Sequence, residues 1–145
     1  MRSGRAKAAM MRNPNGEATV IDFKDPDFQT DPVFNLDKRI RVIIESPLSA
    51  SNGRTMAENR LYGLECVRDC VERGEAPIAA HLLLPLVLDD TKPEEREIGM
   101  ACGFSWYSVA DKLVVYTDFG TSSGMQQGID VGRSQGLRIE YRRLY

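Results

Sequence analysis

The side chains able to do chemistry in this chain fall in three stretches. The first runs from Glu45 to Arg54 and reads Glu-Ser-Pro-Leu-Ser-Ala-Ser-Asn-Gly-Arg. It offers a carboxylate at Glu45, then Ser46, Pro47 and the guanidinium of Arg54 in a small, hydroxyl-rich loop. Because it opens a helix, its backbone N–H groups suit a phosphate or sugar hydroxyls. It matches neither G-x-x-x-x-G-K-[ST] nor G-x-G-x-x-G. The second stretch, His81 to Thr91, carries His81, Asp89 and Asp90. Carboxylates there can accept hydrogen bonds from a sugar or a base, although acids are favoured beside any helix start. A single histidine is more often packed than catalytic. The third, Thr117 to Gln126, holds Asp118, Gly120, Ser122, Ser123, Gly124, Met125 and Gln126. Its glycines allow close backbone approach. Gly128 and Gly132 follow on one helix face, each costing about 1 kcal/mol relative to alanine. The sheet, another helix or a ligand must therefore come close to that face.

Composition removes several classes of function. With 145 residues the chain suits one domain. No run of about 18 apolar residues exists, since Ile78 to Leu88, the longest, contains His81 and Pro85. The basic start (Arg2, Arg5, Lys7, Arg12) has no apolar stretch behind it, so a secretory signal is not expected and a cytoplasmic location is. A net charge of −2 and a pI near 5.5 argue against a broad nucleic-acid surface. Cys66, Cys70 and Cys102 are odd in number and form no C-x-x-C. Cys66 and Cys70 share a helix face whose backbone rarely lets such a pair close, so reduced thiols are expected. Beside one histidine they are too few for a zinc site.

The elements that must position these loops alternate. Residues 1–38 read as a polar, then acidic, arm of low intrinsic structure, with an Asn-Pro-Asn-Gly turn cluster, Pro26 and Pro32 as breakers, and Phe23, Phe28, Val33 and Phe34 able to dock it. From residue 39 the pattern predicts strands at 39–45, 77–84, 113–117 and 137–142, and helices at 56–73, 94–110 and 125–134. Apolar stripes run through Leu61, Leu64, Val67 and Val71 and through Ile98, Ala101 and Ser105. Thr55-x-x-Glu58, Thr91-x-x-Glu94 and Ser123-x-x-Gln126 each match a capping box. Alternation of this kind implies an α/β fold, a small doubly wound, Rossmann- or flavodoxin-like parallel sheet of four to five strands with helices on both faces. The three loops then gather at the carboxyl ends of the strands, where such sheets bind ligands. Trp106 and Tyr107 are available to stack on a base, although packing of helix on sheet accounts for them equally.

The closing segments carry a resemblance. Ala110-Asp-Lys-Leu-Val-Val-Tyr116, Ser123-Gly-Met-Gln-Gln-Gly-Ile129 and Gly136-Leu-Arg-Ile-Glu-Tyr141 resemble the end of the nucleoside 2-deoxyribosyltransferase superfamily, which includes the nucleotide N-glycosidases. Val42 to Pro47 and Pro77-Ile-Ala-Ala-His-Leu82 look like the short phage and bacterial relatives. The similarity spans about residues 40 to 145. It implies a nucleoside or nucleotide ligand, no cofactor, chemistry at the N-glycosidic bond and a homo-oligomer, with Tyr141 and Tyr145 as interface candidates. The host cytoplasm is implied if a phage encodes the chain. In that superfamily the glutamate of a G-M-E-x-G motif attacks the anomeric carbon, because a carboxylate is both anionic and a competent nucleophile. Gln126 stands at that position here, where an amide serves poorly. Glu45, Asp89, Asp90 or Asp118 would then act instead, or the protein captures a nucleotide without turnover, or the glutamine is an introduced substitution that traps a ligand. Asp89, Asp90 or Asp118 would orient hydroxyls or protonate the leaving base. Both readings need a concave, polar-lined cavity where the helices begin, with the Gln126 amide facing it.

Overall fold

The structure, a computed structural model, describes residues 8–12, 16, 18–22 and 39–145. Contacts divide the chain into two units, residues 1–39 and 40–145.

In the first unit, β1 (Ala8–Arg12) and β2 (Ala18–Asp22) pair antiparallel, Arg12 opposite Ala18. Between them Gly16 takes φ 82°, the left-handed region that hairpin turns favour. Over these residues the expected low-structure arm is therefore corrected to a hairpin, whose Thr19-Val20-Ile21 run is β-favouring. Docking through Phe23, Phe28, Val33 and Phe34 falls outside the described residues.

The second unit is a parallel four-stranded sheet with helices, a small α/β fold. Its strands are β3 (Arg41–Glu45), β4 (Ala76–Ile78), β5 (Lys112–Tyr116) and β6 (Arg138–Arg142), in the order β4-β3-β5-β6. The helices are α1 (Met56–Glu72), α2 (Ala80–Leu83), α3 (Pro93–Ser105) and α4 (Ser123–Ser134). Apolar residues continue along the two central strands because both faces are covered. Val42, Ile44, Val114 and Tyr116 pack with Tyr62, Cys66 and Cys70 of α1. Ile43, Leu113 and Val115 turn the other way, onto Met125 and Ile129 of α4 and onto Tyr107. A Cβ at Gly132 would lie 2.9 Å from Leu113 Cδ2, so close approach of the sheet explains that glycine.

Several expectations need correction. The strand expected over 77–84 is only three residues long and gives way to α2 and a 3-10 turn at Leu84–Leu86. Pro77 has no N–H to donate, which an edge strand tolerates, and the His-Leu-Leu-Leu that follows prefers a helix. The helix expected to reach Ala110 ends at Ser105, followed by a 3-10 turn at Tyr107–Val109. On α1 the buried stripe is Asn59, Tyr62, Gly63, Cys66 and Cys70, while Leu61, Leu64 and Val71 face solvent. Asn59 belongs inside because it is satisfied there: its amide donates to the Ser49 carbonyl at 2.8 Å and to Asn52 at 3.0 Å. On α3, likewise, Ile98, Ala101 and Ser105 are exposed.

Only one of the three capping boxes forms where expected. Thr55 Oγ1 accepts from the Glu58 N–H, and the Glu58 carboxylate accepts from the Thr55 N–H at 2.7 Å. At α3 the cap is Lys92, with Pro93 in the first helical position, and Thr91 donates to Asp89 instead. At α4 the cap is Ser122, one residue earlier than expected, and its partner is Met125. Thr55→Ala is expected to cost about 1 kcal/mol, a fall in Tm of roughly 4–8 °C for a domain of this size, read by thermal unfolding.

Candidate functional site

Strand order locates the crevice. The chain leaves β3 toward β4 at one edge and leaves β5 toward β6 at the other. Between β3 and β5 the connections part, and open α/β sheets bind ligands there, beyond the carboxyl ends of the strands. Glu45 is the last residue of β3.

A cavity of about 200 Å³ lies at this point. Its polar wall comes from Glu45 at the end of β3 and Ser46 after it, His81 on α2, Asp90 before α3 and Arg96 within it, and Ser122, Ser123 and Gly124 at the start of α4. Leu48, Met56, Ile78, Leu84, Leu88, Met100 and Phe104 supply the apolar wall. An apolar slot with a few convergent polar groups is the usual form of a ligand site.

Electrostatics set the character of the polar groups. Burial pushes the Glu45 carboxyl up to about 7, against an opposing hydrogen bond from the Tyr107 hydroxyl at 2.6 Å. Near neutral pH this group is therefore poised between acid and carboxylate. Burial also holds His81 down near 4, so its ring is neutral, and Nε2 sits 2.7 Å from Ser46 Oγ. Ser46 itself is 3% exposed, which makes the pair a fixed hydrogen-bonding corner. Asp90 lies 3.7 Å from Arg96 at the rim. At α4 the Ser122 side chain occupies the Met125 N–H at 3.2 Å. The Ser123 and Gly124 N–H groups remain at the positive end of the helix dipole.

Glu45, Ser46, His81, Asp90, Ser122, Ser123, Gly124 and Met125 thus come together as expected from the three loops. Six candidates do not line the cavity. Gln126 is exposed and donates to Asp130 at 2.9 Å, one helical turn along, so the position equated with the family nucleophile faces away. The expectation that its amide faces the cavity, set above as a requirement of both readings, is therefore overturned, and a ligand site here rests on the Glu45 cavity alone. Asp118 is a structural acceptor: Tyr62 donates to it at 2.5 Å and the Leu144 and Tyr145 N–H groups at 3.0 Å each. Burial alone would raise its pKa, yet those donors hold it low. Asp89 is exposed and held low by hydrogen bonds from Thr91 in a local turn. Arg54 stacks 3.8 Å over the Phe119 ring and donates to Asn59. Pro47 is buried, and Gly120 serves a turn at φ 79°. Of the aromatic pair, Trp106 is exposed and Tyr107 is 3% exposed, turned onto Glu45 and Phe104.

Of the two readings of Tyr107 from sequence, packing against the sheet is the one the structure shows, and its hydrogen bond to Glu45 is the contact that the sequence did not reveal. Tyr107 stands 62 residues from Glu45 along the chain, and no local pattern links the two. Among the described residues no group of three or more His, Cys, Asp or Glu forms a metal site. No described helix is long and apolar enough to cross a membrane.

The chain belongs to the family described as a domain of unknown function, DUF7768, which it matches over residues 40–142. No curated protein matches the chain.

Proposed function

We propose that this chain processes nucleosides or nucleotides at the N-glycosidic bond, by hydrolysis or deoxyribosyl transfer, with Glu45 as the reacting carboxylate in place of Gln126. The observation that carries the reading is a largely buried carboxyl at the end of a central parallel strand, facing a small cavity at the strand-order reversal. Attack by ionised Glu45 on the anomeric carbon forms a C–O bond as the C–N bond breaks, its electron pair leaving with the base. Water or a second base then displaces Glu45 and restores the carboxylate. The Ser46–His81 corner and Asp90 supply hydrogen bonds for sugar hydroxyls, the apolar wall takes the base, and the start of α4 takes an anionic or hydroxyl end.

One observation favours a second reading, capture without turnover. Among the described residues, Glu45 is the only acid inside the cavity that no cation pairs, whereas glycoside chemistry commonly uses two carboxyl groups. Incubation with a panel of ribo- and deoxynucleosides and their phosphates separates the two. Free base detected by chromatography supports glycosidic chemistry. Stabilisation of about 2.7 kcal/mol at a hundredfold excess over Kd, without base release, supports capture. With neither effect across the panel, both readings fail.

A further inference from the structure

The face of α4 that carries Gly128 meets the Glu45 carboxyl head on. A Cβ built at Gly128 would stand 2.1 Å from Glu45 Oε1, 2.6 Å from Glu45 Cδ and 2.9 Å from the Tyr107 hydroxyl. Real Cβ atoms do not approach that closely, so the space a side chain would begin to fill is already occupied by Glu45 and Tyr107 together. The same Tyr107 hydroxyl donates to the same Oε1 at 2.6 Å. Its ring is fixed in turn by edge-on packing at 5.5 Å against Phe104, a cavity-wall residue.

We infer that Tyr107 and Gly128 are positioning residues for the Glu45 carboxyl: the tyrosine aims it by a hydrogen bond, and the glycine leaves the space in which it sits. This deepens the reading of Glu45 as the reacting group, and its consequence for turnover rests on that reading. A glycine inside a helix carries a propensity cost. Here that cost maintains one carboxyl in one rotamer at the cavity floor. The other titratable and charged groups around the cavity are His81, Asp90 and Arg96, none of which is hydrogen-bonded to Glu45.

Two measurements on the full chain test this without turnover. The first follows the Glu45 side-chain carboxyl by carbon-13 NMR through a pH titration. Tyr107→Phe keeps the ring and removes the hydroxyl, so the midpoint is expected to move upward from about 7, because the lost bond favoured the ionised form. An unchanged midpoint overturns the assignment of Tyr107. The second is a thermal-unfolding comparison. Gly128→Ala is expected to lower Tm in the parent and to leave it equal or higher in a Glu45→Ala/Tyr107→Phe background, where the space is free. An equal loss in both backgrounds overturns the assignment of Gly128. In the base-release assay Tyr107→Phe is expected to lower kcat at neutral pH while KM holds. Coupling seen without base release from any variant sinks the proposed reaction and leaves the positioning intact. Base release with no coupling does the reverse.

Discussion

Glu45→Gln is expected to reduce base release by at least roughly 10³-fold, because an amide cannot replace the attacking carboxylate, while making the protein more stable above neutral pH. The two effects have one cause. Burial favours the uncharged carboxyl, so folding holds the group at about 7 against an ordinary 4.5. A carboxyl whose pKa rises on folding contributes its stability below the unfolded value and loses it as pH climbs to the folded value. Between about pH 4.5 and 7 the folded state thus gives up about 3 kcal/mol on this account, a level that then stays flat. Glutamine has the same shape and no charge to desolvate. The unfolding free energy of Glu45→Gln minus that of the parent is therefore expected to grow across this window and then level off. A difference that stays constant with pH would mean that Glu45 is solvated.

The largest loss of stability is expected at Glu75, on the residue preceding β4. Its carboxylate accepts from both Arg142 nitrogens, at 2.8 and 2.7 Å, and lies 2.6 Å from Lys112 Nζ. Glu140 joins both cations, at 2.7 Å from Arg142 and 2.9 Å from Lys112. The guanidinium of Arg142 and its neighbour Lys112 hold Glu75 down near 2 against its burial. The cations are buried as well, Arg142 and Lys112 each being 8% exposed. Glu75→Gln leaves two buried cations with Glu140 and, 3.9 Å from Arg142, the more distant Asp69. Breaking such a group from one side costs more than the group contributes, so a loss of about 3 kcal/mol, roughly 10 °C or more in Tm, is expected. The sign with pH is fixed too: the pKa is depressed, so the contribution is present above about 4.5 and disappears as pH falls toward 2. Urea titration at pH 7 and pH 3 checks both; equal stability of variant and parent at pH 7 contradicts the expectation.

Much of the fold could be read from local pattern. The β-branched runs at 41–45 and 112–116 and the capped helix at Met56 are local signals, and the order of elements forces a parallel sheet whose loops collect at one end. That placed Glu45, Ser46, His81 and the start of α4 at one cavity. What local pattern misses is contact across the sheet. Arg142 and Glu75 are 67 residues apart and Tyr107 and Glu45 are 62 apart, and their pairing depends on strand order. The stripe Leu61, Leu64 and Val71 also misleads, because apolarity alone does not say which face of a helix meets the sheet. Asn59 and two cysteines win that face through hydrogen bonds and close fit. Gln126 fails for a helical reason: Met125 points into the cavity and core, so its neighbour, about 100° around the helix, points out.

Nitrogen-15 NMR of the chain titrated with a purine and a pyrimidine deoxynucleoside, and with their 5′-monophosphates, tests the central claim most directly. Amide shifts are expected to move with at least one of these ligands at Glu45, Ser46, His81, Ser123 and Gly124, and to stay still at Leu61, Arg68 and Val71 on the outer face of α1. Shifts confined to residues away from the cavity, or no shift with any of the four ligands, would contradict it.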